Sequence, residues 1–282
     1  MNVIILAAGR GTRFEPDTPK CLCPIGLETI VSRQIKQIRT YLPDSNIVIV
    51  AGFEHTWVQE YCQGYDADII VCYNGKFAED KNIYSGLRGI ESVDGGTLII
   101  EGDCIFSDTM FEGIRDRLAD DDTDTIFFLG GAADKDKTNG VVKTDSKGRF
   151  EKYTIGEKDD VADSYNMTGV TWIPEALHKT FMDELRTLSE ESMDQYYFEP
   201  LVRNSKSYST YTEVLGDECY TFNTKEEYLA AYESLDCNPV VELFDVSKLV
   251  HIEDYDKKAA KELEKKIKKD NRWTRPLCID PD

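Results

Sequence analysis

A glycine-rich turn follows an apolar run near the start of the chain, in the stretch VIILAAGRGTRF. Gly9 and Gly11 allow close approach of the backbone to a ligand, and successive amides in such a turn can bind an anion. Arg10, Arg13 and Lys20 add three positive charges near this turn, in a chain whose formal net charge is −20. These residue types at this spacing are suited to binding a triphosphate.

The turn differs from two well-known phosphate-binding motifs. The dinucleotide fingerprint requires a third glycine where this chain has Phe14, and the P-loop sequence Gly-Lys-Ser/Thr is absent. Ala7 and Ala8 are small, so a flat nucleobase could pack on the backbone where the first strand ends. The alternative is a tight strand–helix turn with solvated arginines, but the whole pattern LAAGRGTR followed by Pro19-Lys20 favours a nucleotide site.

A carboxylate stands at the end of a later apolar run. In TLIIEGDCIF, Asp103 comes just after a predicted buried strand. Ligand sites in open α/β sheets lie at the carboxyl ends of strands. Mg²⁺ takes few protein oxygens, so one carboxylate there would suit an ion that bridges triphosphate oxygens. The alternative is that Asp103 only caps the following turn.

Leu6–Arg13 together with Pro19-Lys20 resembles the signature of the nucleotidyltransferase superfamily, which activates sugar 1-phosphates and related small phosphates. The resemblance covers roughly residues 1–235. It implies a Rossmann-like, GT-A-like fold, Mg²⁺ as cofactor, and Asp103 and Asn223 as metal ligands, with Asp217 and Glu218 as substitutes for Asn223. The site that it implies for the nucleotide comprises Leu6, Ala7, Ala8, Gly9, Arg10, Gly11, Thr12, Arg13, Lys20, Asn82 and Ser85.

The implied reaction is nucleotidyl transfer. A phosphate or phosphonate oxygen of the acceptor attacks the α-phosphorus of a nucleoside triphosphate, and pyrophosphate leaves. Because that oxygen is already anionic, the reaction needs positioning and charge neutralisation rather than a general base. Arg13, Lys20 and Asp103 are the predicted catalytic residues, and the three histidines of the chain form no catalytic constellation.

The segment NGKFAEDKNIYSGL (74–87) looks like the cytidylyltransferases that activate phosphocholine and aminoalkyl phosphonates. The stretches GLETIVSRQIKQI and TGVTWIP also look like that branch. CTP is therefore the favoured nucleotide, with Ser85 facing the base and Asn82 facing the acceptor or the base edge. In the alternative interpretation, Asn82 caps an ordinary helix. A sugar-1-phosphate enzyme using UTP, dTTP or GTP, and a nucleotide-binding module without catalysis, are the competing functions.

Residues 139–200 are predicted to form the acceptor side, because they carry much aromatic and polar content. Lys158 would bind the anionic group of the acceptor, and Glu199 would meet a cationic amine. The aromatic wall would comprise Tyr165, Trp172, Tyr196, Tyr197 and Phe198. The alternative is that these aromatic residues belong to the core.

Strand and helix patterns alternate over the first 135 residues, which predicts a doubly wound, mostly parallel α/β sheet. Residues 136–236 then add small β elements, with a hairpin around DSKG (145–148), as the acceptor-binding part of one domain spanning 1–236. TKEEYLAAYESL is predicted to be a helix in which Thr224 and Glu227 form a capping box. Residues 237–282 are predicted to be a polar helical extension.

The composition excludes some classes of binding partner and indicates the cellular compartment. The acidic excess argues against nucleic-acid binding, which needs clustered Lys and Arg. The eight cysteines lack zinc-site spacing and are expected to be reduced thiols. No apolar run is long enough to span a membrane, and no signal-peptide pattern is present. We therefore expect a soluble cytoplasmic protein that has no membrane partner.

Overall fold

The computed structural model describes residues 1–11, 18–119, 124–133, 140–155, 161–216, 219–222, 224 and 227–228. Strands and helices alternate in its first part, as the sequence predicts. The strands there are β1 Asn2–Ala7, β2 Pro24–Ile25, β3 Glu28–Thr29, β4 Asn46–Ala51, β5 Ile70–Tyr73, β6 Thr97–Glu101, β7 Cys104–Phe106 and β8 Ile126–Ala132. The helices are α1 Ile30–Tyr41, α2 His55–Tyr65, α3 Ile83–Ile90 and α4 Asp108–Leu118, and a short 3-10 helix spans Lys20–Leu22.

The second part adds antiparallel strands and three further helices. The strands are β9 Val141–Thr144, β10 Phe150–Thr154, β11 Ser164–Ile173, β12 Tyr211–Val214 and β13 Cys219–Thr221. The helices are α5 Glu175–Glu191, α6 Glu199–Arg203 and α7 Ser205–Tyr208. The predicted extension, residues 237–282, lies outside the described residues.

One nine-stranded sheet joins strands from both predicted parts of the chain. Its parallel half runs β5-β4-β1-β6. The long strand β11 lies antiparallel beside β6, and β8 lies antiparallel on the other side of β11. β12 then pairs with β8 in parallel, while β9 and β10 continue from the first half of β11. The predicted doubly wound, mostly parallel sheet is confirmed, with β11 inserted between β6 and β8.

Helices cover both faces of this sheet because successive strand residues point to opposite faces. In β1, Val3 and Ile5 belong to the core cluster that also contains the buried residues of α1, α2 and α4. Ile4 and Leu6 belong to the second core cluster, formed with α3 and α5. A strand buried on both faces reads as a continuous apolar run, which explains the composition of β1.

Local hydrogen bonds fix several element boundaries that the sequence predicts. The amides of Lys147 and Arg149 donate to the Asp145 carboxylate at 2.8 and 2.9 Å, which closes the predicted β9–β10 hairpin. The amide of Glu227 donates to Thr224 Oγ1, and the Thr224 amide donates to Glu227 Oε2, each at 3.2 Å. These two bonds form the predicted capping box.

The described cysteines agree with the expectation of reduced thiols, since none of these six forms a disulfide. Among the helices that the structure describes, none combines the length and the hydrophobicity needed to cross a bilayer.

Candidate active site

A lysine–aspartate pair lies at the edge where β1, β4 and β6 end. Lys20 begins the 3-10 helix, and Asp103 lies in the turn between β6 and β7. The Lys20 Nζ is 3.1 Å from Asp103 Oδ2 and donates to the carbonyl of Phe222 at 2.7 Å. The Lys20 side chain is 11% exposed and that of Asp103 is 36% exposed. The ammonium is therefore held in place, while the carboxylate remains open to a ligand.

Gly11 lies against the methylene groups of Lys20. A Cβ placed at Gly11 would be 2.8 Å from Lys20 Cγ, and the backbone there has φ +62°. Both the left-handed conformation and the close contact require glycine. The glycine turn and the lysine of the predicted motif are therefore packed together. Thr12 and Arg13 lie outside the described residues.

The remaining turn residues continue directly from β1. Leu6, Ala7 and Ala8 are buried, while Gly9 and Arg10 are exposed. The Leu6 carbonyl accepts a hydrogen bond from the Gly102 amide at 2.9 Å, and the Ala8 carbonyl accepts one from the Phe53 amide at 3.0 Å. These bonds hold the turn between the segments that follow β4 and β6.

A second carboxylate, Glu101, was not predicted as a site residue. It is the last residue of β6, and its Oε1 accepts a hydrogen bond from Asn82 Nδ2 at 3.1 Å. Burial, together with the nearby Asp103 carboxylate, raises the pKa of Glu101 to about 7. The only signal for it in the sequence was a second acid two positions before Asp103.

Glu101, Asp103 and Cys104 place their ligand atoms within 4.8 Å of one another. The hydrogen bond with Cys219 and burial raise the pKa of the Cys104 thiol well above its usual value, so the thiol stays protonated. Mg²⁺ prefers oxygen ligands. The carboxylates are therefore the members of this cluster that suit a magnesium ion.

The segment that precedes α3 is organised by Asp80. Its carboxylate accepts hydrogen bonds from the amides of Tyr84 and Ser85, at 2.9 and 2.8 Å, and from Asn74 Nδ2 at 2.8 Å. The Ser85 hydroxyl donates to Asp80 Oδ2 at 2.7 Å and accepts from Asn74 Nδ2 at 2.9 Å. Ser85 is 3% exposed. The prediction that Ser85 faces the base is therefore wrong, because its hydroxyl is used inside the protein.

Asn82 has a different role from a helix cap. It occupies the position before α3, but its side chain makes no capping bond to that helix. Instead, its amide nitrogen donates to Glu101, and its Oδ1 accepts a hydrogen bond from the Tyr197 amide at 2.8 Å. Asn82 thus connects the end of β6 to the segment before α6, which places it beside the predicted site.

Two residues of the predicted aromatic wall lie elsewhere. Tyr197 is 0% exposed, and its hydroxyl pairs with the Thr171 hydroxyl at 2.9 Å, so Tyr197 belongs to the core. Trp172 pairs with Leu98 in the ladder and packs against Gly96. This contact lies at the amino end of β6, opposite to Asp103. Both predictions are corrected, because the same aromatic residue types also fill cores.

The remaining acceptor-side predictions have mixed outcomes. The Glu199 carboxylate accepts from Arg203 Nε at 3.0 Å, an ion pair within α6, so its negative charge already has a partner. Tyr165 is half-buried in the first half of β11, and its contact with the acceptor stays a prediction. Lys158 and Asn223, with the substitute ligands Asp217 and Glu218, lie outside the described residues.

Tyr153 and Tyr196 form an aromatic pair on the predicted acceptor side. Their ring centroids are 6.2 Å apart, and Phe198 packs against both rings. Burial raises the pKa of Tyr153 strongly, and the neighbouring Tyr196 and Glu101 raise it further. A separate cavity of about 420 Å³, lined in part by Glu91 and Arg186, contains none of the predicted site residues.

Residues 3–194 match the MobA-like NTP transferase domain. Because this match covers more than half of the chain, the protein belongs to the MobA-like NTP transferase family.

Individual relatives are more distant. The choline-phosphate cytidylyltransferase of Streptococcus pneumoniae is 25% identical over 248 residues, which cover 83% of this chain and 98% of that protein. The bifunctional protein GlmU of Methanococcus aeolicus is 29% identical over 154 residues, or 52% of this chain. The chain covers only 22% to 44% of the length of several GlmU relatives that it matches.

The fold is shared with a solved structure of the CTP:phosphocholine cytidylyltransferase from Streptococcus pneumoniae. The TM-score is 0.70 at 22% identity, with 83% of this chain and 99% of that chain covered. At this identity the likeness shows the fold.

Proposed function

We propose that the protein transfers a nucleotidyl group, CMP from CTP, to a small acceptor that carries a phosphate or phosphonate, and releases pyrophosphate. The observation that carries this proposal is the Lys20–Asp103 pair, held under the glycine turn at the carboxyl edge of the sheet. Membership of the NTP transferase family supports the nucleotide class. The match along nearly the whole length of a choline-phosphate cytidylyltransferase supports CTP and a phosphocholine-like acceptor.

Lys20 has the remaining hydrogen-bonding capacity that the reaction needs. Its ammonium has three N–H donors, of which one is directed to Asp103 and one to the Phe222 carbonyl. The third can donate to a phosphate oxygen. A cation fixed in advance stabilises the charge that develops on the leaving pyrophosphate without reorganisation of the site. The acceptor's phosphate oxygen is anionic, so no residue has to remove a proton from it.

Asp103 fits the Mg²⁺ that the family resemblance implies. Its Oδ2 faces Lys20, while Oδ1 lies on the side of the Cys104 thiol, 4.0 Å from Sγ. One carboxylate with bound waters and substrate phosphates is a common arrangement for this ion. When bound, Mg²⁺ supplies positive charge against the triphosphate oxygens. Asn223 stays a predicted second ligand.

A second candidate function is the transfer of a nucleotidyl group from UTP, dTTP or GTP to a sugar 1-phosphate. It is favoured by the GlmU relatives, one of which, from Trichormus variabilis, is 33% identical over 101 residues. The match covers 36% of this chain and 22% of that protein, so it leaves the acceptor side untested.

The proposal is tested by pyrophosphate release with Mg²⁺. CTP, UTP, dTTP, ATP and GTP are each paired with phosphocholine, aminoethylphosphonate and a set of sugar 1-phosphates. We expect release with CTP and a non-sugar acceptor, and loss of that release in Asp103→Asn. Release only with a sugar 1-phosphate would establish the second candidate. Nucleotide binding without turnover of any pair would contradict both candidates and support a non-catalytic module.

A further inference from the structure

We infer that Gln34, near the start of α1, is the positioning residue for Asp103. Its side-chain amide holds the turn between β6 and β7, and this turn carries the carboxylate that suits Mg²⁺. The inference rests on the proposed function and adds to it a buried residue that acts through the backbone rather than through the substrates.

The first argument is the pair of hydrogen bonds that Gln34 makes across this turn. Its Nε2 donates to the Glu101 carbonyl at 3.1 Å and to the Cys104 carbonyl at 2.7 Å. Glu101 is the last residue of β6 and Cys104 is the first residue of β7, so the two carbonyls lie on either side of Asp103. Because one amide group uses both of its N–H donors here, it fixes the two ends of the turn relative to each other.

The second argument is that β1 closes the other side of the turn. The Gly102 amide donates to the Leu6 carbonyl at 2.9 Å. A Cβ placed at Gly102 would be 2.8 Å from that oxygen and 3.1 Å from the Cβ of Ala7. The backbone just before Asp103 is therefore packed directly on β1, while Gln34 holds the same turn from α1. A turn held from two elements keeps its carboxylate in one place before a ligand binds.

The third argument is that α1 also holds the segment that carries Lys20. The Ile30 amide, at the start of α1, donates to the Cys23 carbonyl at 3.0 Å, and the Cys23 amide donates to the Lys20 carbonyl at 3.0 Å. One helix thus contacts the lysine segment at its first residue and, through Gln34, the turn that carries Asp103. Its position contributes to the separation of 3.1 Å between Lys20 Nζ and Asp103 Oδ2.

The fourth argument is the cost of a glutamine at this position. Gln34 is 1% exposed, and among the described residues its Oε1 has no hydrogen-bond partner. Burial of a polar atom without a partner is unfavourable. An apolar side chain would avoid this cost but would remove the donor from two carbonyls. The amide is therefore explained by the turn that it holds and not by core packing.

Gln37 provides a matched control on the same helix. It is 3% exposed, and its Oε1 also lacks a partner among the described residues. Its Nε2 donates to the Phe106 carbonyl at 3.0 Å and to Asp108 Oδ1 at 2.8 Å, at the end of β7 that is farther from the site. Arg33 also donates to the Phe106 carbonyl, through Nε and Nη2, each at 3.2 Å. Gln34 and Gln37 thus differ in the segment that they hold and not in the kind of contact.

The test replaces each glutamine by methionine, which keeps an unbranched side chain of similar length and removes the amide. Three properties are measured for the wild-type protein, Gln34→Met and Gln37→Met. They are the Kd for Mn²⁺ from the electron paramagnetic resonance signal of the free ion, the Kd for CTP in EDTA by calorimetry, and the Mg²⁺ concentration that gives half-maximal pyrophosphate release. Because this acidic protein also attracts Mn²⁺ elsewhere, only the binding that Asp103→Asn removes is counted.

We expect Gln34→Met to raise the Kd for Mn²⁺ and the Mg²⁺ requirement by about 10- to 100-fold, as is typical when a residue that supports a metal ligand is lost. The Kd for CTP in EDTA should stay unchanged, because Lys20 keeps its bond to the Phe222 carbonyl. Gln37→Met should leave all three properties unchanged. Both variants should lose about 2 to 8 °C in Tm, since each loses two buried hydrogen bonds.

Three outcomes would overturn the inference. An equal rise of the Kd for Mn²⁺ in the two methionine variants, or a parallel rise of the Kd for CTP in Gln34→Met, would make Gln34 a purely structural residue. An unchanged Kd for Mn²⁺ in Gln34→Met would show that Asp103 needs no support from α1. A wild-type protein without any Mn²⁺ binding that depends on Asp103 would remove the metal from the site.

Two further results keep the test decisive. If Gln34→Met is unfolded at 25 °C, Gln34→Asn takes its place, because its shorter side chain withdraws the amide from the turn but stays polar. A raised Kd for Mn²⁺ in that variant supports the inference, and an unchanged Kd contradicts it. If the wild-type protein binds Mn²⁺ at Asp103 but turns over no acceptor, the proposed function fails, and the Mn²⁺ titration still decides the role of Gln34.

Discussion

Replacement of Lys20 by methionine separates the catalytic role of its ammonium from its structural role. Methionine retains an unbranched apolar chain against Gly11, where a Cβ would already be 2.8 Å from Lys20 Cγ. The substitution removes the ion pair with Asp103 at 3.1 Å and the bond to the Phe222 carbonyl at 2.7 Å. Both the packing and the length of the side chain are therefore nearly preserved, and the change is mainly one of charge.

The structural cost should be small. The partner carboxylate is 36% exposed, so water can solvate Asp103 once the ammonium is gone. For this part-buried pair, whose carboxylate stays open to water, we expect a loss of about 1 to 2 kcal/mol in the free energy of unfolding, including the bond to Phe222. This corresponds to a fall of a few degrees, about 2 to 8 °C, in Tm for a domain of this size.

The catalytic cost should be larger. Removal of one fixed donor to a developing negative charge typically lowers kcat by about 10²- to 10³-fold. Pyrophosphate release is measured at saturating CTP and acceptor, and Tm by circular dichroism. The control is Lys36→Met, which removes an exposed lysine that pairs with Glu28 at 2.7 Å on α1. A Lys20→Met protein that keeps nearly normal kcat, or that is unfolded at 25 °C, would refute this reasoning.

Three further substitutions test other contacts in the structure. Gly11→Ala puts a side chain at φ +62° against Lys20. It should lower the free energy of unfolding by about 1 to 2 kcal/mol and raise KM for the nucleotide. An unchanged KM in steady-state assays would contradict the packing of Gly11 on Lys20. Asn82→Ala removes the hydrogen bond to Glu101 Oε1. Urea denaturation should show that the free energy of unfolding falls by about 1 to 3 kcal/mol. An unchanged free energy of unfolding would mean that the bond is not formed. Burial acts to raise the pKa of Asp66, but hydrogen bonds from Arg39 and the backbone outweigh burial and lower the pKa below 3.8. The stability that this group contributes is therefore present above pH 3.8 and is lost as the pH falls through the lower pKa of the folded state. Asp66→Asn should flatten the acid side of a curve of unfolding free energy against pH, and parallel curves for the two proteins would contradict the pairing.

The alternation of β1, β4, β5, β6 and β8 with helices was predictable, because strands packed between layers of helices read as short apolar runs between helical patterns. The position of β11 was not. Its sequence SYNMTGVTWI is compatible with an edge strand or a central strand, and only tertiary pairing places it antiparallel between β6 and β8. The local sequence pattern predicts whether a segment is a strand or a helix more reliably than it predicts which strands pair with each other.

The site residues also divide into those that the sequence predicts and those that only the tertiary structure reveals. The glycine turn, Lys20 and Asp103 were predictable, because their residue types and spacing carry phosphate and metal chemistry. Tyr197 and Trp172 were assigned wrongly, since the sequence does not show whether an aromatic residue of a strand or a loop faces the site or the core. Glu101 was missed because a carboxylate at a strand end is common, and its meaning comes from Asn82, which approaches it from another element.

The most direct measurement is the ³¹P NMR spectrum of a reaction that contains the protein, Mg²⁺, CTP and phosphocholine, recorded beside the same reaction with Asp103→Asn. Attack on the α-phosphorus predicts equal amounts of pyrophosphate and of a diphosphate in which CMP is joined to phosphocholine by a phosphoanhydride bond with the wild-type protein, and neither product with Asp103→Asn. Inorganic phosphate without this diphosphate, or equal product with both proteins, would contradict nucleotidyl transfer at the Lys20–Asp103 site.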